Sequence, residues 1–241
     1  MKGIILAGGV GSRLRPVTHL LNKSLLPIYD KPAVYYSIEL FKAGGISEVC
    51  VIAEHHYLED FKTLLGNGTD FGVKIFYEND TPNKKGPAQA VYYAKDFADG
   101  SDIALIFSDN IFDLDIKKEV ESFKSGARVF VKQVENPKRF GVVEFSESGK
   151  VLSIEEKPEN PKSNFVMTGL QFYDNNVFKY IDEMSPAEDG EYYMTEINHR
   201  YLEKDALSAV VVNGFWQDMG TFDGLAECNM YWYSKAKKIA L

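Results

Sequence analysis

The chain has 241 residues, a formal net charge of −8, 45% hydrophobic residues and 26% charged residues, the composition of a soluble globular protein. The negative balance argues against a general binder of nucleic acid or anionic membrane, and no apolar run approaches bilayer-spanning length. Met1-Lys2-Gly3 leads into the first predicted strand with no signal peptide ahead of it, so one cytoplasmic domain over residues 1–241 is expected.

Residues 4–7 are a short apolar run closed by glycines, the pattern of an interior strand of a parallel sheet. A helix opens at Lys31-Pro32-Ala33 and stops at Gly44-Gly45; residues 48–53 form a second strand, 57–65 a helix and 73–77 a third strand. Gly86-Pro87 starts a helix through Phe97, and residues 103–107 form a fourth strand. This alternation predicts a doubly wound α/β domain with a mostly parallel sheet. From Arg128 the rhythm changes. Residues 141–145 and 150–157 alternate about Ser146-Glu147-Ser148-Gly149 and predict a small antiparallel extension. A strand at 166–173, helices at 175–183 and 195–204, a strand at 207–213 and a last helix at 222–238 complete the chain.

The opening segment carries the first chemical signal. Gly8, Gly9 and Gly11 remove side chains where backbone N–H groups would close on an anion, and Arg13, Arg15 and Lys23 supply positive charge. Residues 1–31 are +4 while the remainder is −12. A tight strand-to-helix turn with surface arginines is the plain alternative, and a surface ion pair explains Arg15 equally well. Neither a P-loop nor a dinucleotide fingerprint fits, because Ser12-Arg13 replaces Lys-Ser/Thr and Leu14 stands where a third glycine would be. Asp109 follows the fourth strand and Asp218 a later apolar run; two carboxylates suit Mg²⁺, although each could instead cap a helix. Lys157 ends a strand beside Glu156 and could fix an anion or belong to a solvated charge run. Gly141 permits close approach of a ligand or marks a bulge. Cys50 and Cys228 lack metal spacing and are read as reduced core residues. His19, His55, His56 and His199 share no ligand spacing.

LAGGVGSRLRP followed by NKSLLPIYDKP, with SDNIF, RFGVVEF, IEEKPENPKSN, MTGLQFYD and WQDMGT in order, resembles the sugar-1-phosphate nucleotidylyltransferases, and among them the glucose-1-phosphate thymidylyltransferases. The resemblance implies Mg²⁺-dependent in-line displacement joining dTTP and α-D-glucose 1-phosphate, giving dTDP-glucose and pyrophosphate. It implies catalytic Arg13, Lys23 and Asp109, with the metal on Asp109 and Asp218. Leu6, Gly8, Gly9, Gly11, Arg13, Asn79, Gly86 and Gln89 would bind the nucleoside triphosphate. Asn110, Gly141, Glu156, Lys157, Thr168 and Gly169 would bind the sugar 1-phosphate.

The likeness is not uniform. Asn79 stands in the region where the family carries a base-reading glutamine, and the following turn is about one residue longer. Ser24 replaces a frequent glutamine, Ser108 a glycine before the metal aspartate, and Phe140 a tyrosine. UTP, CTP or another sugar phosphate, or a non-catalytic nucleotide-sugar sensor, are the alternatives. The chain stops soon after its last helix, so the allosteric site of longer members is not expected. Tyr231, Trp232 and Tyr233 suggest a homo-oligomer interface, with core packing the favoured reading.

Overall fold

The computed structural model describes residues 1–80 and 86–239. Strand β1 (Lys2–Leu6) runs into the glycine loop, and a short ribbon, β2 (Pro27–Ile28) and β3 (Lys31–Pro32), precedes helix α1 (Ala33–Ala43). Strand β4 (Glu48–Glu54), helix α2 (His55–Leu65) and strand β5 (Lys74–Asp80) follow, with β4 parallel to both β1 and β5. The helix expected over 86–97 is two pieces, α3 (Pro87–Tyr92) and α4 (Lys95–Ala98). Between them Tyr93 N–H and Ala94 N–H bond the carbonyls three residues back, tightening the turn and ending the α-helical ladder.

Strand β6 (Ile103–Phe107) lies parallel to β1 on its other side. Strand β7 (Asn110–Asp113) and helix α5 (Lys117–Ser122) then lead to β8 (Ala127–Gln133), and the expected hairpin is β9 (Gly141–Phe145) with β10 (Val151–Glu156). Strand β11 (Phe165–Tyr173), helices α6 (Asn176–Asp182) and α7 (Met194–Glu203), strands β12 (Leu207–Val211) and β13 (Phe215–Asp218), and helix α8 (Phe222–Lys237) complete the chain.

The main sheet has the order β10-β9-β11-β6-β1-β4-β5, with β8 on β11 and β12 on β8. Its parallel core is the one expected. The antiparallel part is larger than a grafted hairpin, because β11 runs antiparallel to β6, β8 and β9 inside the sheet. Strand alternation feeds two cores. Ile5 and Ala7 face a cluster with Val34, Ile38, Phe41 and Phe61 of α1 and α2, while Ile4 and Leu6 face one with Val91, Phe178, Ile181 and Ile197 of α3, α6 and α7. Cys50 and Cys228 are free, buried thiols. Among the described residues no helix is long and apolar enough to cross a membrane.

The run expected as one strand over 207–213 ends early, and the chain re-forms as β13, paired antiparallel with β7. Close approach makes this turn possible. A β-carbon on Gly214 would lie 2.1 Å from the Asp113 carbonyl oxygen. Helix α8 docks on this ribbon: the Tyr231 ring stacks on Phe215 at 3.8 Å, and Tyr231 Oη and Lys235 Nζ each donate to Asp113 Oδ2 at 2.5 Å. Trp232 packs against Tyr36, whereas Tyr233 is 48% exposed.

Burial raises the Asp113 carboxyl, but the Lys235 and Tyr231 hydrogen bonds outweigh it and hold its pKa below the ordinary value. Asp113→Asn should therefore lower the unfolding free energy by about 1 kcal/mol at neutral pH, the pair being partly solvated. A depressed folded pKa stabilises above the unfolded value of about 4 and is lost as pH falls through the folded one, so the deficit shrinks in acid. Urea unfolding at neutral and acid pH checks this; equal midpoints at neutral pH would show that apolar contacts alone hold α8.

Candidate active site

The site lies beyond the carboxyl ends of β1 and β6, where an open α/β sheet leaves its loops free to converge. After Leu6 the chain turns through Gly8 and Gly9, and Gly11 takes a left-handed conformation with φ 56°. A side chain at Gly11 would also strike Thr18, whose Oγ1 donates to the Gly11 carbonyl at 2.7 Å. The loop thus enters a single 3₁₀ turn, Ser12–Leu14, which carries Arg13, while buried Leu14 anchors it.

A second 3₁₀ turn, Lys23–Leu25, carries Lys23. Asn22 caps it: its Oδ1 accepts from Ser24 N–H at 2.8 Å, and its Nδ2 donates to the Ala7 carbonyl at 2.7 Å. The Lys23 ammonium forms an ion pair with Asp109 Oδ2. Burial raises the Asp109 carboxyl, yet the Lys23 charge and hydrogen bond, with the Asn110 amide at 2.9 Å, hold its pKa below the carboxylate range.

Asp218 reaches the same point through the β7–β13 ribbon, where it pairs with Asn110 in register and Met219 N–H donates to the Asp109 carbonyl at 2.9 Å. A β-carbon on Gly220 would lie 2.9 Å from Asp218 Oδ1, 3.2 Å from Arg13 Nη2 and 3.7 Å from Asp109 Oδ2. Arg13, Asp109 and Asp218 therefore surround one small volume. Burial and the Asp109 charge raise the pKa of Asp218, outweighing the Gly220 N–H, Arg13 and Lys23. Two carboxylates that each disfavour the other's charge are the donor set a divalent cation satisfies. Among the described residues no group of three or more His, Cys, Asp or Glu side chains that could hold a metal ion comes together.

Two cavities meet here. One, of about 400 Å³, is lined by Leu6, Gly8, Gly9, Lys23, Gly86 and Asp109. The other, of about 290 Å³, is lined by Arg13, Asp109, Asn110, Gly141, Glu156, Lys157, Thr168, Gly169 and Asp218. Every residue expected at the sugar phosphate lines the second cavity, and Asp109 borders both.

Four residues expected at the nucleotide fall outside the first cavity, and one of them, Arg13, lines the second instead. Gly11 shapes the loop without lining the first cavity. Asn79 does not line it either; the β4–β5 ladder continues through Glu54 and Asp80, and those two carboxylates border the cavity instead. Burial and then Glu54 raise the Asp80 carboxyl. Gln89 is buried on α3 outside the lining; Asn79 Oδ1 and Gln89 Oε1 are buried acceptors without a partner among the described residues. The longer turn expected after Asn79 falls on residues 81–85, outside the described residues. Arg15 is exposed and borders neither cavity.

Several contacts were not legible in the sequence. Asn110 Oδ1 accepts from Gly169 N–H at 2.8 Å and from Trp216 Nε1–H at 2.7 Å, so its amide holds Asp109 in place. Thr195 donates to Glu156 Oε2, and Lys157 Nζ lies 3.2 Å from Glu156 Oε1 and 4.9 Å from the Tyr193 ring centroid. Thr168 donates to the Phe130 carbonyl at 2.9 Å. Arg139 also borders the second cavity, exposed and without an ion pair or hydrogen bond among the described residues.

The chain is 43% identical over 233 residues to a glucose-1-phosphate thymidylyltransferase of Neisseria meningitidis, covering 94% of this chain and 81% of that protein. A thymidylyltransferase of the same name from Mycolicibacterium smegmatis is 41% identical, with 95% and 81% coverage. A Bacillus anthracis crystal structure assigned to that enzyme, solved with sucrose, superposes with a TM-score of 0.91 at 40% identity, covering 96% of this chain and 94% of that one. A UDP-glucose pyrophosphorylase bound to UDP-glucose shares the fold, with a TM-score of 0.84 at 22% identity, covering 97% and 98% of the two chains. The nucleotidyl transferase family model matches residues 2–235, and the chain belongs to that family.

Proposed function

We propose that this protein joins dTTP and α-D-glucose 1-phosphate to form dTDP-glucose and pyrophosphate, with both substrates bound on one domain. The observation that carries the reading is the meeting of the two cavities at Asp109, with Lys23 on one side and Arg13 and Asp218 on the other. A triphosphate in the first cavity would lie along the glycine loop, and a sugar phosphate in the second would present its oxygen at the shared wall.

The nucleophile is already an anion, so no general base is required. A sugar-phosphate oxygen attacks the α-phosphorus, a new phosphorus–oxygen bond forms, and the bond to the bridging oxygen of the departing pyrophosphate breaks with its electron pair. The need is for positive charge along that path. Lys23 is placed to leave Asp109 for the phosphates, and Arg13 stands over the same volume. Asp109 and Asp218 would hold Mg²⁺, which when bound supplies Lewis-acid charge at the phosphates. Glu156, fixed by Thr195, faces the sugar, and Lys157 its phosphate.

Arg139 extends this reading. Lys157 is already offset by Glu156, and Arg139, whose planar fork suits phosphate oxygens, offers a dianionic sugar phosphate a further cation besides Arg13.

Pyrophosphate release across deoxy- and ribonucleoside triphosphates and hexose 1-phosphates should be fastest with dTTP and α-D-glucose 1-phosphate and should require Mg²⁺; no release with that pair would overturn the reading. Lys23→Ala or Asp109→Ala should lower turnover by about 10²-fold or more while circular dichroism stays unchanged. Arg139→Gln should raise KM for the sugar phosphate by about tenfold, roughly 1.4 kcal/mol, and leave KM for the triphosphate unaltered. An equal rise in both would remove Arg139 from the sugar-phosphate site.

A further inference from the structure

Behind the Lys23–Asp109 pair lies a second contact between the same two segments. Ser24 and Ser108, the residues next to Lys23 and Asp109 in the chain, are both completely buried, and their hydroxyl oxygens lie 2.5 Å apart. Ser108 Oγ donates to the Leu6 carbonyl at 2.8 Å. A serine hydroxyl has one proton, so Ser24 must donate to Ser108. The direction of the whole chain follows: Ser24 to Ser108 to the last carbonyl of β1.

This chain of hydrogen bonds joins three elements that deliver the site. The turn bearing Lys23 is tied to β1 through Asn22 and Ala7, and to the end of β6 through Ser24 and Ser108. Lys23 thus sits between two residues whose positions are fixed by buried polar contacts, and Asp109 directly follows the receiving hydroxyl. Small apolar residues would fill the same space at lower desolvation cost.

We infer that the Ser24–Ser108 hydroxyl pair is a positioning device that fixes the Lys23 turn against the Asp109 strand end. The pair touches no substrate. It acts by fixing the backbone of the Lys23 turn and of Asp109, so that each side chain reaches the phosphates from a set origin, where an error near 1 Å lowers rate by about a hundredfold. The inference rests on the roles given above to Lys23 and Asp109.

Ser24→Ala, Ser108→Ala and the double variant separate positioning from packing. Ser108→Ala strands the Ser24 proton in a dry site and should lower the thermal midpoint, whereas Ser24→Ala leaves Ser108 donating to the Leu6 carbonyl and should lower it less. Removing both leaves no stranded group, so the double variant should recover much of that midpoint. Turnover should behave otherwise: kcat falls between about tenfold and a hundredfold in all three proteins, with KM for both substrates within about twofold of wild type. Recovery of kcat together with the midpoint in the double variant would make the pair structural only and overturn the inference. Wild-type kcat in the single variants would do the same. The unsubstituted protein, assayed alongside, isolates the prior question: failure to release pyrophosphate there would defeat the functional reading itself, and this assignment with it.

Discussion

Two carboxylates forced toward one point repel each other, and the arrangement around Asp109 and Asp218 is a response to that repulsion. Each is brought in by a different part of the chain, and neither can withdraw. Asp109 is held by the Asn110 amide and by the end of β6, Asp218 by the Gly220 N–H and by the β7–β13 ladder. The cationic groups of the opening segment gather there because the acidic pair attracts them. An otherwise negative chain has its basic excess in the residues that need it. The same attraction is available to a divalent ion and to the phosphates it accompanies.

The parallel core was legible because its strands are buried on both faces. Residues 4–7, 49–53 and 103–107 are apolar without interruption, and the glycines after the first mark the loop. The ribbon of β7 and β13 was not. Each strand has four residues, too few for a periodic signal, and their pairing is a long-range event. The extent of β11 inside the sheet was equally hidden, since a strand buried on both faces reads the same whether its neighbours are parallel or antiparallel.

The site divides along similar lines. Charged residues near the glycine loop or at the ends of strands, Arg13, Lys23, Asp109 and Lys157, could be picked out by type and place. What orients them could not, because Asn110 meets Gly169 and Trp216 at separations of 59 and 106 residues. The first cavity shows how fine the limit is. A strand alternates its side chains, so the choice between Asn79 and Asp80 turns on a single residue of register. The β4–β5 ladder decides it: Glu54 and Asp80 are partners and border the cavity together.

The ribbon that pairs Asp218 with Asn110 has a consequence for the order of biosynthesis. A ribosome releases the glycine loop, Lys23 and Asp109 while most of the second half is still being translated, and N-terminal structure organises first. A nascent chain can therefore shape the glycine loop early, yet it lacks the second carboxylate of the site until β13 has emerged. The two-carboxylate arrangement is thus assembled late, coincident with near-completion of the polypeptide.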